Sequence, residues 1–186
     1  MHRRPLRRLL ELYAEAWPRE EEVTARFVAF VDGHPDCLLR ACAPGHVTAS
    51  AWILDPDGAR ALLTHHRKLD KWLQLGGHVD GDPDVAAACL REAREESGMA
   101  EFEVLRWSRD ELAPLDLDVH TIPARGDEAA HLHWDVRFLL RAGAGQEPVV
   151  SDESHDLAWV RRDALAAYTT EESVLRMDRK AREVGS

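Results

Sequence analysis

One stretch constrains this chain more than any other: residues 76–99, Gly-Gly-His-Val-Asp-Gly-Asp-Pro-Asp-Val-Ala-Ala-Ala-Cys-Leu-Arg-Glu-Ala-Arg-Glu-Glu-Ser-Gly-Met. It opens with a glycine pair directly after a short apolar run, Trp72 to Leu75, which reads as a strand. A helical pattern follows over about 84–97, and Gly98 is placed to close it as a left-handed C-terminal residue. Glu92, Glu95 and Glu96 fall at i, i+3 and i+4 and therefore project from one helix face. Three crowded carboxylates repel one another unless a cation sits among them. Hard oxygen ligands on a rigid element suit Mg²⁺, with Mn²⁺ as the alternative, and such an ion can bridge substrate phosphates and lower the pKa of a bound water. A Glu-x-x-Glu-Glu triplet alone is more often a solvated helix face. The preceding glycines, where a backbone can approach a ligand closely, shift the balance.

The segment resembles the Nudix box: a glycine, five residues, a glutamate, seven residues, Arg-Glu, an aliphatic residue, any residue, Glu-Glu, any residue, glycine and an aliphatic residue. Gly77 matches the first glycine. Arg91, Glu92, Glu95, Glu96, Gly98 and Met99 match the second half in register, with Ala93 at the aliphatic position. The resemblance implies a Nudix hydrolase, with Glu92, Glu95, Glu96 and the Gly77 carbonyl as magnesium ligands. Pro83 stands where the pattern has its first glutamate, which in the family steadies the box arginine. Asp80, Asp82 and Asp84 are the carboxylates available to orient Arg91 instead. Pro83 itself suits the first turn of a helix with Asp82 as N-cap.

The rest of the chain supplies an α/β fold around this unit. Residues 5–17 and about 19–31 read as amphipathic helices, with Leu6, Leu9, Leu10, Tyr13 and Trp17 on the first and Val23, Phe27, Phe30 and Val31 on the second. They form a helical extension over 1–44, packed on a main domain over 45–186. Val47 to Leu54 and Ala61 to Thr64 flank the turn Pro56-Asp57-Gly58, giving a hairpin. Further strands are expected at Phe102–Trp107, Leu117–Ile122 and Leu157–Val160, then helix from Arg162 to about Ala181. The clearest strand, Leu132 to Leu140, alternates apolar Leu132, Trp134, Val136 and Phe138 with His131, His133, Asp135 and Arg137. Interleaved strands and helices predict an α/β/α sandwich with a central mixed sheet, and the resemblance implies the same fold.

Several residues outside the box are candidates for the chemistry. Nudix enzymes often take a further acid from a loop, and Glu153 is that candidate for metal ligand or general base, with Asp152 able to take the same part. His78, Lys68, His131, His133 and Arg137 are candidates for substrate binding alongside Arg91. Lys68 belongs to a basic run with His65, His66, Arg67 and Lys71, which reads equally as a solvated loop. His131, His133 and Asp135 at period two form a weak zinc pattern, for which polar lining of a cleft is the alternative, joined by His120. Trp72 and Trp134 could stack a base, although aromatics in strands are usually core.

Bulk properties bound the partners. A formal net charge of −10 over 186 residues argues against nucleic-acid backbones and anionic membranes, and leaves a small phosphorylated, nucleotide-like substrate open. Cys37, Cys42 and Cys89 are odd in number and lack Cys-x-x-Cys spacing, as buried thiols in a reducing compartment would. Arg3, Arg4, Arg7 and Arg8 are not followed by an apolar core, and no stretch approaches a membrane span. A cytoplasmic location is expected. The apolar face of the first helix suits a homodimer interface as readily as an intramolecular contact. The expected reaction is attack of a metal-activated water on phosphorus, splitting a diphosphate. The rival reading is a non-catalytic Nudix-like sensor that binds a nucleotide.

Overall fold

The computed structural model describes residues 2–108, 111–126, 128–151 and 154–185. Helices α1 (Arg4–Ala16) and α2 (Glu21–Gly33) lead into strands β1 (Gly45–Leu54), β2 (Arg60–His66), β3 (Lys71–Leu73) and β4 (Leu75–His78). Helix α3 (Val85–Ser97) and strands β5 (Phe102–Val104), β6 (Asp116–Ile122), β7 (His131–Ala142) and β8 (Ser154–Arg161) follow, then a 3-10 turn over Arg162–Ala167 and helix α4 (Glu172–Val184).

The strands form one mixed sheet organised on β1. β1 runs parallel to β7 along its whole length, from Gly45 opposite Leu132 to Leu54 opposite Arg141. On its other edge β4 pairs antiparallel with Thr48 to Ala51, and β2 joins at Leu54 opposite Ala61. β8 and β3 extend the sheet from β2, while β6 and β5 share the far edge of β7. Every residue of β1 is buried, as expected of a central strand covered on both faces.

The two faces carry different cores because side chains alternate. Val47, Ala49, Ala51 and Ile53 of β1 and Trp134, Val136 and Phe138 of β7 pack with Leu6, Leu10, Tyr13, Phe27 and Val31 of the N-terminal helices and with Val85, Ala88 and Ala93 of α3. The opposite face places Trp52, Leu54 and Leu139 under Val174, Met177 and Ala181 of α4. The apolar face of α1, an expected candidate for a homodimer contact, is thus spent within the chain. Trp134 is 7% exposed and stacks on Phe30 at 4.2 Å between ring centroids, so it is core rather than a platform for a base.

Between α4 and the sheet lies a layer of buried charge. Asp135 accepts from the hydroxyls of Thr48 and Ser50 at 2.9 Å each and from Arg137 Nε at 2.7 Å. Arg137 also reaches Asp116 at 3.1 Å and Asp118 at 3.2 Å, and Arg176 binds the same two aspartates. Lys180 donates to Tyr13 Oη and Asp116 and sits 4.2 Å from the centroid of the Trp17 ring. Unpaired, any of these ions would cost several kcal/mol to bury. Paired, they lock α4 and α1 onto the same edge of the sheet.

The expected elements are largely present, with instructive shifts. The single strand expected at Trp72–Leu75 is two, and the glycines lie inside β4 instead of ending it. The long C-terminal helix is interrupted between Ala167 and Glu172. The N-cap of α3 is Asp84, whose Oδ1 accepts from Ala87 N at 3.0 Å, while Asp82 instead accepts from Asp84 N at 2.8 Å. Pro83 therefore precedes the cap and does not occupy the first helical turn.

Candidate active site

β4 lies directly against the carboxylate face of α3. Glu96 accepts a 2.8 Å hydrogen bond from Gly76 N. Glu92 lies under Gly77: a Cβ at that position would stand 2.7 Å from Glu92 Cδ, closer than carbon atoms pack, and nearer still to Oε2. Gly76 has φ +153°, and a Cβ there would meet Ala49 O at 2.6 Å. The two glycines are required for different reasons, one by the β1 backbone and one by a carboxylate.

Arg91 is held without the missing box glutamate. Its guanidinium donates to His78 O at 2.6 Å and to Glu92 Oε1 at 2.8 Å. Asp80, at φ 50°, is close enough to act electrostatically on both Arg91 and Glu92. Of the three aspartates weighed for this part, Asp82 and Asp84 are engaged at the start of α3. Burial holds the Glu92 carboxyl above the ordinary carboxylate range, with the bond and charge of Arg91 pulling the other way. Glu95 is the most exposed of the triplet, with Oε1 3.9 Å from Arg91 Nε. A half-buried carboxylate with a raised pKa, an all-oxygen donor set and a strand with no Cβ in the way fit a hard divalent cation.

β4 separates this cluster from a second one. By register, Gly77 lies opposite Ala49 on the α3 side, whereas His78 lies opposite Thr48 on the other face. There His78 joins His46, His120, His131 and His133. Ring centroids are 4.8 Å apart for His46 and His133, 5.1 Å for His46 and His131, and 5.0 Å for His46 and His78. Burial and the neighbouring charges lower His46 to about 4 and His133 to about 2, so both are neutral near pH 7.

The expected substrate residues are therefore dispersed. His78, His131 and His133 come together beside the box. Arg137, expected to face phosphate, is 2% exposed and committed to three aspartates, so its role is structural. Asp135 belongs to that network and not to a His-x-His-x-Asp metal site. Lys68 is exposed in the turn between β2 and β3. Trp72 packs on His65, 5.0 Å between centroids. Glu153 and Asp152 lie outside the described residues. Sequence reasoning missed His46, which opens a strand as one unremarkable polar residue and gains its neighbours only through the parallel pairing with β7.

The Nudix domain profile matches residues 44–179, most of the chain. The chain belongs to the Nudix family and is an enzyme of that class. Its fold is similar to a Nudix-family hydrolase from Clostridium perfringens, with TM-score 0.57 and 22% identity over 74% of this chain and 97% of that one. It is also similar to the Ap4A hydrolase of C. elegans, with TM-score 0.55 and 18% identity over 75% and 98% of the two chains. A third similar fold is the E. coli dihydroneopterin triphosphate pyrophosphohydrolase, with TM-score 0.55 and 18% identity over 72% and 92%. The curated protein sequences gave no match. No helix among the described residues is long and apolar enough to cross a membrane.

Proposed function

We propose that this enzyme hydrolyses the diphosphate link of a nucleoside diphosphate-linked or related small substrate, with Mg²⁺, or Mn²⁺ in its place, held by Glu92, Glu95, Glu96 and the Gly77 carbonyl. The observation that carries the reading is the apposition of Gly76 and Gly77 to the glutamate face of α3. When bound, the ion would supply charge neutralisation at phosphorus and a water of lowered pKa.

The protein's own residues prepare the reaction. Arg91, fixed by His78 O and Glu92, presents a cation beside the glycine strand, where an anionic phosphate chain would otherwise meet only carboxylates. His78 points from the same strand toward the opposite face, with His131 and His133 beside it, so this edge of the sheet offers imidazole groups to the rest of the substrate. Lys68, exposed in the turn between β2 and β3, is the cation proposed to meet the phosphate chain from outside the box. The proton of the attacking water passes to a carboxylate of the triplet or to Glu153. Cleavage between the phosphorus atoms forms one P–O bond from water and breaks one bridging P–O bond, leaving two phosphorylated products. The names of the similar folds, an Ap4A hydrolase and a dihydroneopterin triphosphate pyrophosphohydrolase, share a phosphoric-anhydride chain on a heterocyclic group. A Nudix domain of similar fold from Shewanella oneidensis is seen with ADP ribose.

The test is a hydrolysis screen over nucleoside triphosphates, nucleotide sugars, dinucleotides and dinucleoside polyphosphates, with Mg²⁺, Mn²⁺ or EDTA. Metal-dependent cleavage that Glu95→Gln and Glu96→Gln abolish and Glu153→Gln slows supports the assignment. Nucleotide binding with no cleavage of any compound would favour a sensor and overturn it.

A further inference from the structure

The five-histidine cluster on the far side of β4 is not needed to hold a hard cation at the glutamates, and its chemistry is different. We propose that His46, His131 and His133 form a second metal site, selective for a transition dication such as Zn²⁺, with a fourth position open toward His78.

Three observations converge. One ligand atom from each of the three side chains lies within 4.8 Å of the other two. In a tetrahedral zinc site with Zn–N of about 2.0–2.1 Å the nitrogens stand roughly 3.4 Å apart, so modest side-chain rotation closes the site. His46 is 2% exposed, yet neither ring nitrogen has a hydrogen-bond partner among the described residues, a costly state for a buried polar group, and a metal bond would satisfy one of the two. In His131, Nδ1 donates to Ala129 O at 3.0 Å, since a carbonyl only accepts, which leaves Nε2 as the nitrogen that would coordinate. A backbone acceptor on the non-coordinating nitrogen is the usual support of a metal-bound histidine.

The strand pairing builds the site. His46 and His133 are side by side in the parallel β1–β7 ladder, and His131 lies two residues along on the same face. His120 borders His133, 5.5 Å between centroids, with its Nδ1 on Asp118 at 3.0 Å, but it lies outside the three side chains whose ligand atoms converge. Neutral imidazoles suit zinc, copper or nickel, whereas carboxylates suit magnesium. The two sites should therefore sort metals by chemistry although only a strand separates them. Three protein ligands with a remaining position characterise zinc sites that bind an exchangeable molecule, and here that position faces the edge proposed for the substrate.

The experiment measures metal content and spectrum, not turnover. The purified full chain is stripped with chelator, loaded with Zn²⁺ under excess Mg²⁺, dialysed and assayed for metal; Co²⁺ loading is followed by its visible absorption. One equivalent of zinc and an intense tetrahedral cobalt spectrum are expected, both retained in a Glu92→Gln, Glu95→Gln, Glu96→Gln variant. His131→Ala and His133→Gln should each weaken zinc by at least about a hundredfold, beyond the loss expected from outer-sphere changes. His46→Gln should do the same, and circular dichroism of each variant reports whether it folds. If buried His46→Gln fails to fold, the two β7 variants and the cobalt spectrum decide. No zinc in the wild type, zinc retained in both β7 variants, or zinc lost only with the glutamates would each overturn the proposal. None of these outcomes depends on whether the box hydrolyses anything.

Discussion

Gly77→Ala isolates the site from the fold. The new Cβ would stand 2.7 Å from Glu92 Cδ, against the roughly 3.5 Å at which carbon atoms are comfortable, so the carboxylate must retreat by about 0.8 Å. Gly77 does not have positive φ, so alanine introduces no backbone strain. The obstacle is the far end of a flexible side chain, which can move at little cost to stability. A displacement near 1 Å in a reacting assembly costs about a hundredfold in rate, or about 2.7 kcal/mol of barrier. We expect kcat/KM to fall by about that factor and the metal requirement to rise, while the urea midpoint changes by less than about 1 kcal/mol equivalent. Gly33→Ala is the control: it closes α2, nothing among the described residues lies within 4 Å of its Cβ, and activity should not change. Wild-type kinetics in Gly77→Ala, or collapse of its stability, would refute the view that Glu92 needs this space for function and not for folding.

Other perturbations separate structural from chemical roles. Arg137→Met should destabilise by about 3–5 kcal/mol in denaturant titration, because it leaves Asp135 buried without its cationic partner; a folded variant impaired only in substrate binding would restore the phosphate role expected from sequence. Asp84→Ala should cost about 1 kcal/mol through loss of the α3 cap, measured by thermal unfolding. Metal-free protein should lose stability as pH falls. His46 titrates near 4 when folded and near 6.5 when unfolded, so between those values the unfolded chain binds the extra proton. The contribution is complete above about pH 6.5 and lost toward pH 4, about 3 kcal/mol for His46 alone. A flat urea midpoint over that window would contradict the buried, neutral placement of this ring.

The fold was legible where one periodicity dominated. β7 and α3 are where alternation and helical spacing put them, because each has a single apolar face to bury. The interruption between Ala167 and Glu172 was not, since Arg162 and Arg176 take part in ion pairs with distant aspartates that local pattern does not encode. The box glutamates were legible because their spacing is local, fixed by one helix. Arg137 misled for a related reason: an alternating polar face looks solvent-facing until the α4 layer, more than 30 residues later, is seen to cover it. Likewise His46 and His133 are 87 positions apart, and only the parallel register of β1 on β7 brings their rings to 4.8 Å.

The most direct test of the central claim follows the oxygen of the attacking water. Once the screen yields a substrate, hydrolysis in ¹⁸O-labelled water with Mg²⁺, read by phosphorus NMR or mass spectrometry, should place one labelled oxygen on one phosphorylated product, with no turnover in EDTA or in Glu96→Gln. Label found on carbon, or undiminished turnover in EDTA and in Glu96→Gln, would contradict water attack at phosphorus supported by a metal on the glutamate face of α3.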